Sequence, residues 1–401
     1  MTDRLAAQFA FLEEADRLKS VLRANVLLDG SRPENVGEHS WHLALWALVM
    51  AGSQPGVDLA RVVAMLVLHD LPEIDTGDQP IHLDHDAPAL ARAEAQAARR
   101  IFGLLPPDIG APLLALWQEF EAADTAEARL AKQLDHAQPI FQVLMSPTPL
   151  ADHLAVVRDN LASGRAARFR DEWPEAYALA QDLLAGRPGT APGELRARLS
   201  FLAEADRLKS VLRATTLCDG SRRENSGEHS WHLALYAMIL ADQAPGTVRI
   251  DRVIRMLVLH DLVEIDTGDV PIHSAGGTAH ASAETLAAEA RAADRIFGLL
   301  PAAQTREFRA LWDEFEAAES PDAVFAKSLD RVQPVMQNLA CGGGTWTSYG
   351  VSFDQLESRV GVKIARGAPG IWQWVRARAL PWFENRGLGP APSLPPAPGP
   401  G

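Results

Sequence analysis

The residues of this chain that could do chemistry fall in a few short strings, and each string is written twice. His69 and Asp70 close the apolar run MLVLHDL at 65–71, and His260 and Asp261 close an identical run at 256–262. Neighbouring residues on a helix diverge by about 100°, so a His-Asp pair reaches one ion only near the helix end, with further ligands drawn from other segments. The candidates are His39, in GEHSWH, and Asp135, in KQLDHAQP; their counterparts are His229, in GEHSWH, and Asp330, in KSLDRVQP. Two imidazoles and two carboxylates form a mixed nitrogen and oxygen set that suits divalent Mn, Co, Fe, Ni or Zn and leaves positions for water and substrate. A single His-Asp pair at a helix end is ordinarily a cap or a local ion pair. Spaced His, His-Asp and Asp, all present twice on helical segments, point instead to a metal centre in each half.

The segments that must position these residues repeat with them. FLEEADRLKSVLRANVLLDGSRPENVGEHSWH at 11–42 matches FLAEADRLKSVLRATTLCDGSRRENSGEHSWH at 201–232 in 26 of 32 positions, and the offset between copies drifts only from 190 to 195. Whole domains are therefore duplicated; this is not a solenoid of short repeats. Within a copy, Phe11, Leu12, Ala15, Leu18, Val21 and Leu22 recur at three- and four-residue steps, as do Trp41, Ala44, Leu45 and Leu48, and no segment sustains period-two alternation. The pattern predicts an all-α fold of about six helices per copy, near 5–24, 38–52, 58–75, 87–104, 108–123 and 125–146. The repeat-matched Trp41, Trp117, Trp231 and Trp312 read as core aromatics. The expected organisation is a first domain at 1–190 and a second at 191–386, joined through GRPGTAPG at 186–193, then a disordered Pro-rich tail at 387–401.

Composition limits the partners. A hydrophobic fraction of 47% and a charged fraction of 22% are those of a soluble globular protein without an apolar run long enough for a membrane span. The first twenty residues lack a signal-peptide core, so a cytoplasmic address is expected. Only Cys218 and Cys341 are present, too few for a disulfide framework or a thiolate metal site. A net charge of −14 opposes binding to polymeric nucleic acid, while leaving room for a small anion in a cleft where a metal or Arg reverses the local field.

The strings ENVGEHS, HDLPEIDTGD and QLDHAQ, with ENSGEHS, HDLVEIDTGD and SLDRVQ in the second copy, resemble the HD-domain superfamily of metal-dependent phosphohydrolases, in particular its 5′-deoxynucleotidase branch. The resemblance implies metal ligation by His39, His69, Asp70 and Asp135 and by His229, His260, Asp261 and Asp330, on an all-helical fold that hydrolyses a phosphomonoester. It also implies a phosphate-binding role for Arg23 and Arg213, which close LKSVLRA at the expected end of the first helix; the alternative is a C-terminal cation favoured by the helix dipole. Where that branch carries an aromatic after this Arg, Ala24 and Ala214 stand here, so sugar and base preference stay open. Glu73 and Glu264 follow the ligand His by one helical turn and read either as general acid or base or as carboxylates that orient a ligand. Asp78 and Asp269, in TGD, read as substrate-orienting or proton-transferring groups, or as turn residues.

The expected cofactor is thus one divalent ion per domain, Mn, Co, Fe, Ni, Zn or Mg, and the expected partner a small phosphate ester. Members of the branch commonly pair, so the copies are expected to pack as an intrachain pseudo-dimer, which leaves higher assembly open. A second reading is a di-iron oxygenase using additional histidines, His82 and His85 in one copy and His273 and His280 in the other. A third is a non-catalytic nucleotide-binding protein, whose signature would be a ligand lost from one copy; neither copy has lost one. His42 and His232, three residues beyond the first ligand His, read as support for the site or as buried core histidines.

Overall fold

The computed structural model describes residues 2–52, 56–80, 83, 86–187, 193–246 and 248–390. The first copy runs α1 (Thr2–Asp16), β1 (Leu22–Val26), β2 (Pro33–Asn35), α2 (Val36–Met50), α3 (Leu59–Leu68), α4 (Glu73–Thr76), α5 (Ala87–Phe102), α6 (Pro107–Ala122), α7 (Ala126–Met145), α8 (Ala151–Ala162), α9 (Phe169–Glu172) and α10 (Pro174–Leu184). The second repeats the order with α11 (Gly193–Ala205), β3 (Leu212–Thr216), β4 (Arg223–Asn225), α12 (Ser226–Ile239), α13 (Ile250–Leu259), α14 (Glu264–Thr267), α15 (Ala283–Phe297), α16 (Ala302–Ala317) and α17 (Pro321–Ala340). It closes with its own set, α18 (Gly344–Ser348), α19 (Phe353–Leu356), α20 (Val362–Gly367) and α21 (Pro369–Glu384). The fold is helical, in two tandem domains, as the periodicity predicts. No helix among the described residues is long and apolar enough to cross a membrane. The proposed linker and tail fall largely at 188–192 and 391–401, outside the described residues.

Two expectations need correction. The helix predicted at 5–24 ends at Asp16, tightens into a 3₁₀ turn at Arg17–Ser20, and gives way to β1, which pairs antiparallel with β2. Asp29 and Gly30 make the intervening turn, Gly30 at φ +71°; helical spacing of apolar residues continues past Asp16, but strand pairing overrides it. Arg23 and Arg213 consequently sit on strands, not at helix ends. The helix predicted at 58–75 is broken after Leu68. Glu73 N–H bonds to Asp70 O instead of reaching His69 O, which accepts from the Trp117 indole at 3.0 Å. Trp312 does the same for His260 O at 3.2 Å. The second copy breaks identically with Val263 in place of Pro72, so proline is not the cause; the tryptophan that takes up the freed carbonyl holds the bend.

The copies face each other through α2 and α12, and the central contacts between them are reciprocated, as in an isologous two-fold interface. Trp41 Nε1 donates to Val258 O and Trp231 Nε1 to Val67 O, both at 3.0 Å. Each indole lies on the helix start of the other copy, 3.4 Å from where a Cβ would stand at Gly227 or Gly37. The buried apolar residues of both copies form one continuous core. An Asn-Glu capping box begins each facing helix, at Asn35 with Glu38 and at Asn225 with Glu228. The boxes also interlock across the interface, Asn35 Nδ2 to Glu228 at 2.7 Å and Asn225 Nδ2 to Glu38 at 2.6 Å.

At the centre lie two fully buried lysines. Lys19 donates to Asp16 of its own copy, to Glu224 of the other at 2.7 Å, and to His232 Nδ1 at 2.9 Å. Lys209 does the same with Asp206, Glu34 at 2.6 Å and His42 Nδ1 at 3.2 Å. Each imidazole has its Nε2 hydrogen on a carbonyl of the other copy, Leu12 O or Leu202 O, so Nδ1 is the acceptor and all three ammonium protons have a partner. Burial acts to lower the Lys19 pKa, but Asp16 and Glu224 hold it above the ordinary lysine value, while burial and Lys19 push His232 down to about 3. Replacing Lys19 by Met strands two buried carboxylates and should cost about 3–5 kcal/mol in urea unfolding. Lys209→Met should match it, and a loss of under about 1 kcal/mol in either would contradict this account of the interface.

Candidate functional site

The break after α3 turns His69 and Asp70 toward α2 and α7, and the same happens in the second copy. His39 Nε2 lies 3.3 Å from Asp135 Oδ1 and 3.9 Å from Asp70 Oδ2; His69 Nε2 lies 3.0 Å from Asp70 Oδ2 and 3.9 Å from Asp135 Oδ1. His229, His260, Asp261 and Asp330 reproduce these distances, at 3.3, 3.9, 3.0 and 3.9 Å. All eight residues named from the sequence as ligand candidates therefore meet, four in each copy.

The second ring nitrogen of each histidine is engaged elsewhere. His69 Nδ1 donates to Leu66 O at 2.9 Å and His260 Nδ1 to Leu257 O at 2.8 Å. His39 and His229 meet Gln138 Oε1 and Gln333 Oε1 at 3.1 Å. These partners set the tautomer that leaves Nε2 as a lone pair, and the buried Nε2 atoms of His69 and His260 have no hydrogen-bond partner. Lone pairs and carboxylate oxygens thus face one another at 3.0–3.9 Å, close to the separation of roughly 3–3.5 Å that donors adopt around a metal at about 2.0–2.2 Å. Burial lowers the His69 pKa, yet Asp70 and Asp135 draw it above its ordinary value. The field in the cluster favours a cation, and the donor set fits a divalent metal. Two other buried carboxylate-histidine clusters, Asp16–Glu224–His232 and Glu34–His42–Asp206, already contain the ammonium groups of Lys19 and Lys209. His42 and His232 thus belong to the interface and not to the metal cluster.

Beside each cluster stand an arginine and a glutamate. Arg213 Nη1 is 2.8 Å from Asp261 Oδ2 and 3.7 Å from both Glu264 Oε1 and Asp269 Oδ1. Arg23 Nη1 is 3.4 Å from Asp70 Oδ2 and 3.5 Å from Asp78 Oδ1. Asp269 also accepts the Ala214 N–H at 3.2 Å, so the TGD aspartate braces the strand that carries the arginine. Burial and then Asp70 push the Glu73 carboxyl well above the ordinary range; burial and Asp261 do the same to Glu264. Arg23, Glu73 and Asp78 line a cleft of about 460 Å³ with the first cluster, and Arg213, Glu264 and Asp269 line one of about 350 Å³ with the second.

Several neighbours escaped sequence reasoning. Glu34 and Glu224, which open the ENVGEHS and ENSGEHS strings, have one oxygen on the other copy's lysine and the second near the ligand histidine, 3.7 Å from His39 Nδ1 and 3.2 Å from His229 Nδ1. Gln138 and Gln333 stand three residues past the late aspartate. Their signal was identity between copies inside strings already singled out. Of the histidines behind the di-iron reading, His82 and His85 lie outside the described residues, as does the side chain of His280. His273 lines the pocket next to the metal cleft, with Pro271 and Ile272.

A family model described as HD domain matches residues 15–177 and 205–372. The human protein named 5′-deoxynucleotidase HDDC2 is 34% identical over 178 residues, which cover 44% of this chain and 84% of that protein. The Photorhabdus temperata protein named 5′-deoxynucleotidase yfbR is 31% identical over 148 residues, covering 35% of this chain and 75% of that one. A crystal structure of a predicted metal-dependent phosphohydrolase from Magnetospirillum magnetotacticum MS-1 is 43% identical, covers 50% of this chain and 100% of that one, and has a TM-score of 0.46. The chain belongs to the HD domain family, and carries the domain twice.

The raised glutamates give a pH test. A carboxyl whose folded pKa lies above its unfolded value binds more protons in the folded state between the two, so stability falls as pH rises through that window. In chelator-treated protein, Glu73→Gln and Glu264→Gln should therefore raise the thermal midpoint relative to wild type at pH 8, with the gain shrinking toward pH 4.5. A pH-independent difference would mean these carboxyls are not held protonated by burial.

Proposed function

We propose that the protein is a metal-dependent phosphohydrolase that removes phosphate from nucleotides, with (deoxy)nucleoside 5′-monophosphates as the leading substrates. The observation that carries this is the duplicated cluster of imidazole lone pairs and carboxylates beside an arginine and a protonated glutamate, in a chain whose relatives bear the name 5′-deoxynucleotidase.

In this reading His39, His69, Asp70 and Asp135 hold one divalent ion, and His229, His260, Asp261 and Asp330 a second; Mn, Co, Fe, Ni, Zn and Mg are the candidates. The ion supplies Lewis acidity, drawing charge from a phosphoryl oxygen and making nearby water more acidic. Arg23 and Arg213 grip the phosphate through the planar guanidinium fork; because Arg213 stands between Asp261 and Glu264, a phosphate on it abuts both cluster and acid. Glu73 and Glu264 carry the proton, entering protonated and able to deliver it to the leaving alcohol oxygen. Asp78 and Asp269 keep the arginine in place. We put the division between the copies near residue 190, supported by α10 ending at Leu184 and α11 starting at Gly193.

The test is phosphate release from nucleoside mono-, di- and triphosphates by chelator-treated protein resupplied with each metal in turn. Release from monophosphates should return only with metal. Glu73→Gln combined with Glu264→Gln should lower kcat by about 10²–10⁴-fold. Phosphate release that survives His69→Ala, Asp70→Ala, His260→Ala and Asp261→Ala made together would overturn the assignment.

A further inference from the structure

The two clefts share their acidic lining and differ in their cations. The first has Arg23, Lys132 and Arg165; the second has Arg213, Lys327, Arg331, Lys363 and Arg366. The difference comes from the elements that follow the late aspartate. Arg331 replaces His136, and α20 brings Lys363 and Arg366 to the cleft rim. It can do so because Gly367 lets it lie against α17, where a Cβ would stand 2.3 Å from Ser328 Oγ and 2.6 Å from Val324 O.

These cations are poorly neutralised. Lys327 pairs with Glu316 at 2.8 Å and Arg331 with Asp330 at 3.4 Å, but among the described residues neither Lys363 nor Arg366 has a carboxylate within salt-bridge distance. The Lys363 ammonium, partly desolvated at the rim and facing Arg331 and Lys327, is drawn down to about 8. On the far side of Arg213 the neighbouring pocket is narrow, about 70 Å³, closed by Trp346 and Tyr349; the equivalent pocket by Arg23 measures about 220 Å³. The second site has exchanged room for an organic group for positive charge.

We propose that the second cleft takes an anion of two or more linked phosphoryl groups, one at Arg213 and the next on Lys363 and Arg366, whereas the first, with fewer cations in its lining, does not share this preference. The inference rests on the phosphohydrolase reading, but its test does not need turnover. Calorimetric titration of the metal-free full chain with inorganic pyrophosphate and with orthophosphate should show a preference for pyrophosphate that weakens as salt is raised. Lys363→Gln with Arg366→Gln, both exposed and away from the core, should weaken pyrophosphate about tenfold, which corresponds to roughly 1.4 kcal/mol, and leave orthophosphate within about twofold. Arg165→Gln in the first cleft should leave the tighter pyrophosphate binding of the second unchanged. Thymidine diphosphate binding more tightly than pyrophosphate would assign a nucleoside to the neighbouring pocket, and equal binding would assign the inorganic anion; both support the subsite. No preference for pyrophosphate, or an equal loss of both anions in the double variant, would overturn it. If instead no nucleotide is hydrolysed by wild type while the calorimetric pattern holds, the catalytic reading fails and the subsite stands.

Discussion

Everything in this molecule is arranged around two ammonium groups that have no access to water. A buried lysine is costly unless each of its protons has an acceptor and its charge a counter-charge. Lys19 and Lys209 meet the condition only by borrowing: the second carboxylate and the imidazole that each uses belong to the other copy. Neither half can be folded as it is seen here without its counterpart, since a lone copy would expose a lysine-carboxylate pair, a tryptophan face and an interlocking capping box together. The duplication is therefore one folding unit with a pseudo-two-fold axis, and the tandem order in sequence does not describe two beads on a string.

That network reaches the chemistry by one step. The carboxylate that accepts from Lys19 is Glu224, whose second oxygen faces His229 Nδ1 and the Arg213 guanidinium, at 3.2 and 3.7 Å. Glu34 relates Lys209 to His39 and Arg23 in the same way, at 3.7 and 3.6 Å. One buried glutamate thus joins the interface to a histidine of the metal-type cluster and to the arginine beside it, both of a single copy. The restraint on the metal cluster is delivered from across the axis, which explains why the strings around Glu34, Lys19 and their counterparts are nearly identical while loops of the same copies drift.

Much of this was legible in the sequence, for physical reasons. His39, His69, Asp70 and Asp135 were identifiable because the residue types are rare on buried helix faces and because two copies preserve them. Helices α2, α5, α6 and α7 were identifiable because an apolar stripe with a capping residue is a local signal. The hairpin that carries Arg23 was not, since its strands are short, its apolar residues continue the helical spacing of α1, and pairing with β2 is a tertiary effect. The break after His69 was hidden for a related reason: a carbonyl captured by Trp117, 48 residues further on, leaves no mark on the local pattern. The lysines were invisible as a network because their partners in the other copy lie 167–213 residues away, and composition alone gives no reason to bury them.

The axis also accounts for where the copies have been free to differ. An isologous interface binds both halves to the same residues, because any change on one side must fit a partner contact that is its own mirror. Beyond the late aspartate the two copies follow different courses. There α8 and the turn after it line the first cleft with Asn160 and Arg165, while α20 lines the second with Lys363 and Arg366 and α18 lines its neighbouring pocket with Trp346. Two identical chains meeting on the same axis would have to carry the same wall twice. Fusing the copies removes that requirement while leaving the buried lysines, the glutamates and the ligand clusters as they were, so a single chain can hold one catalytic apparatus in duplicate behind two differently charged entrances.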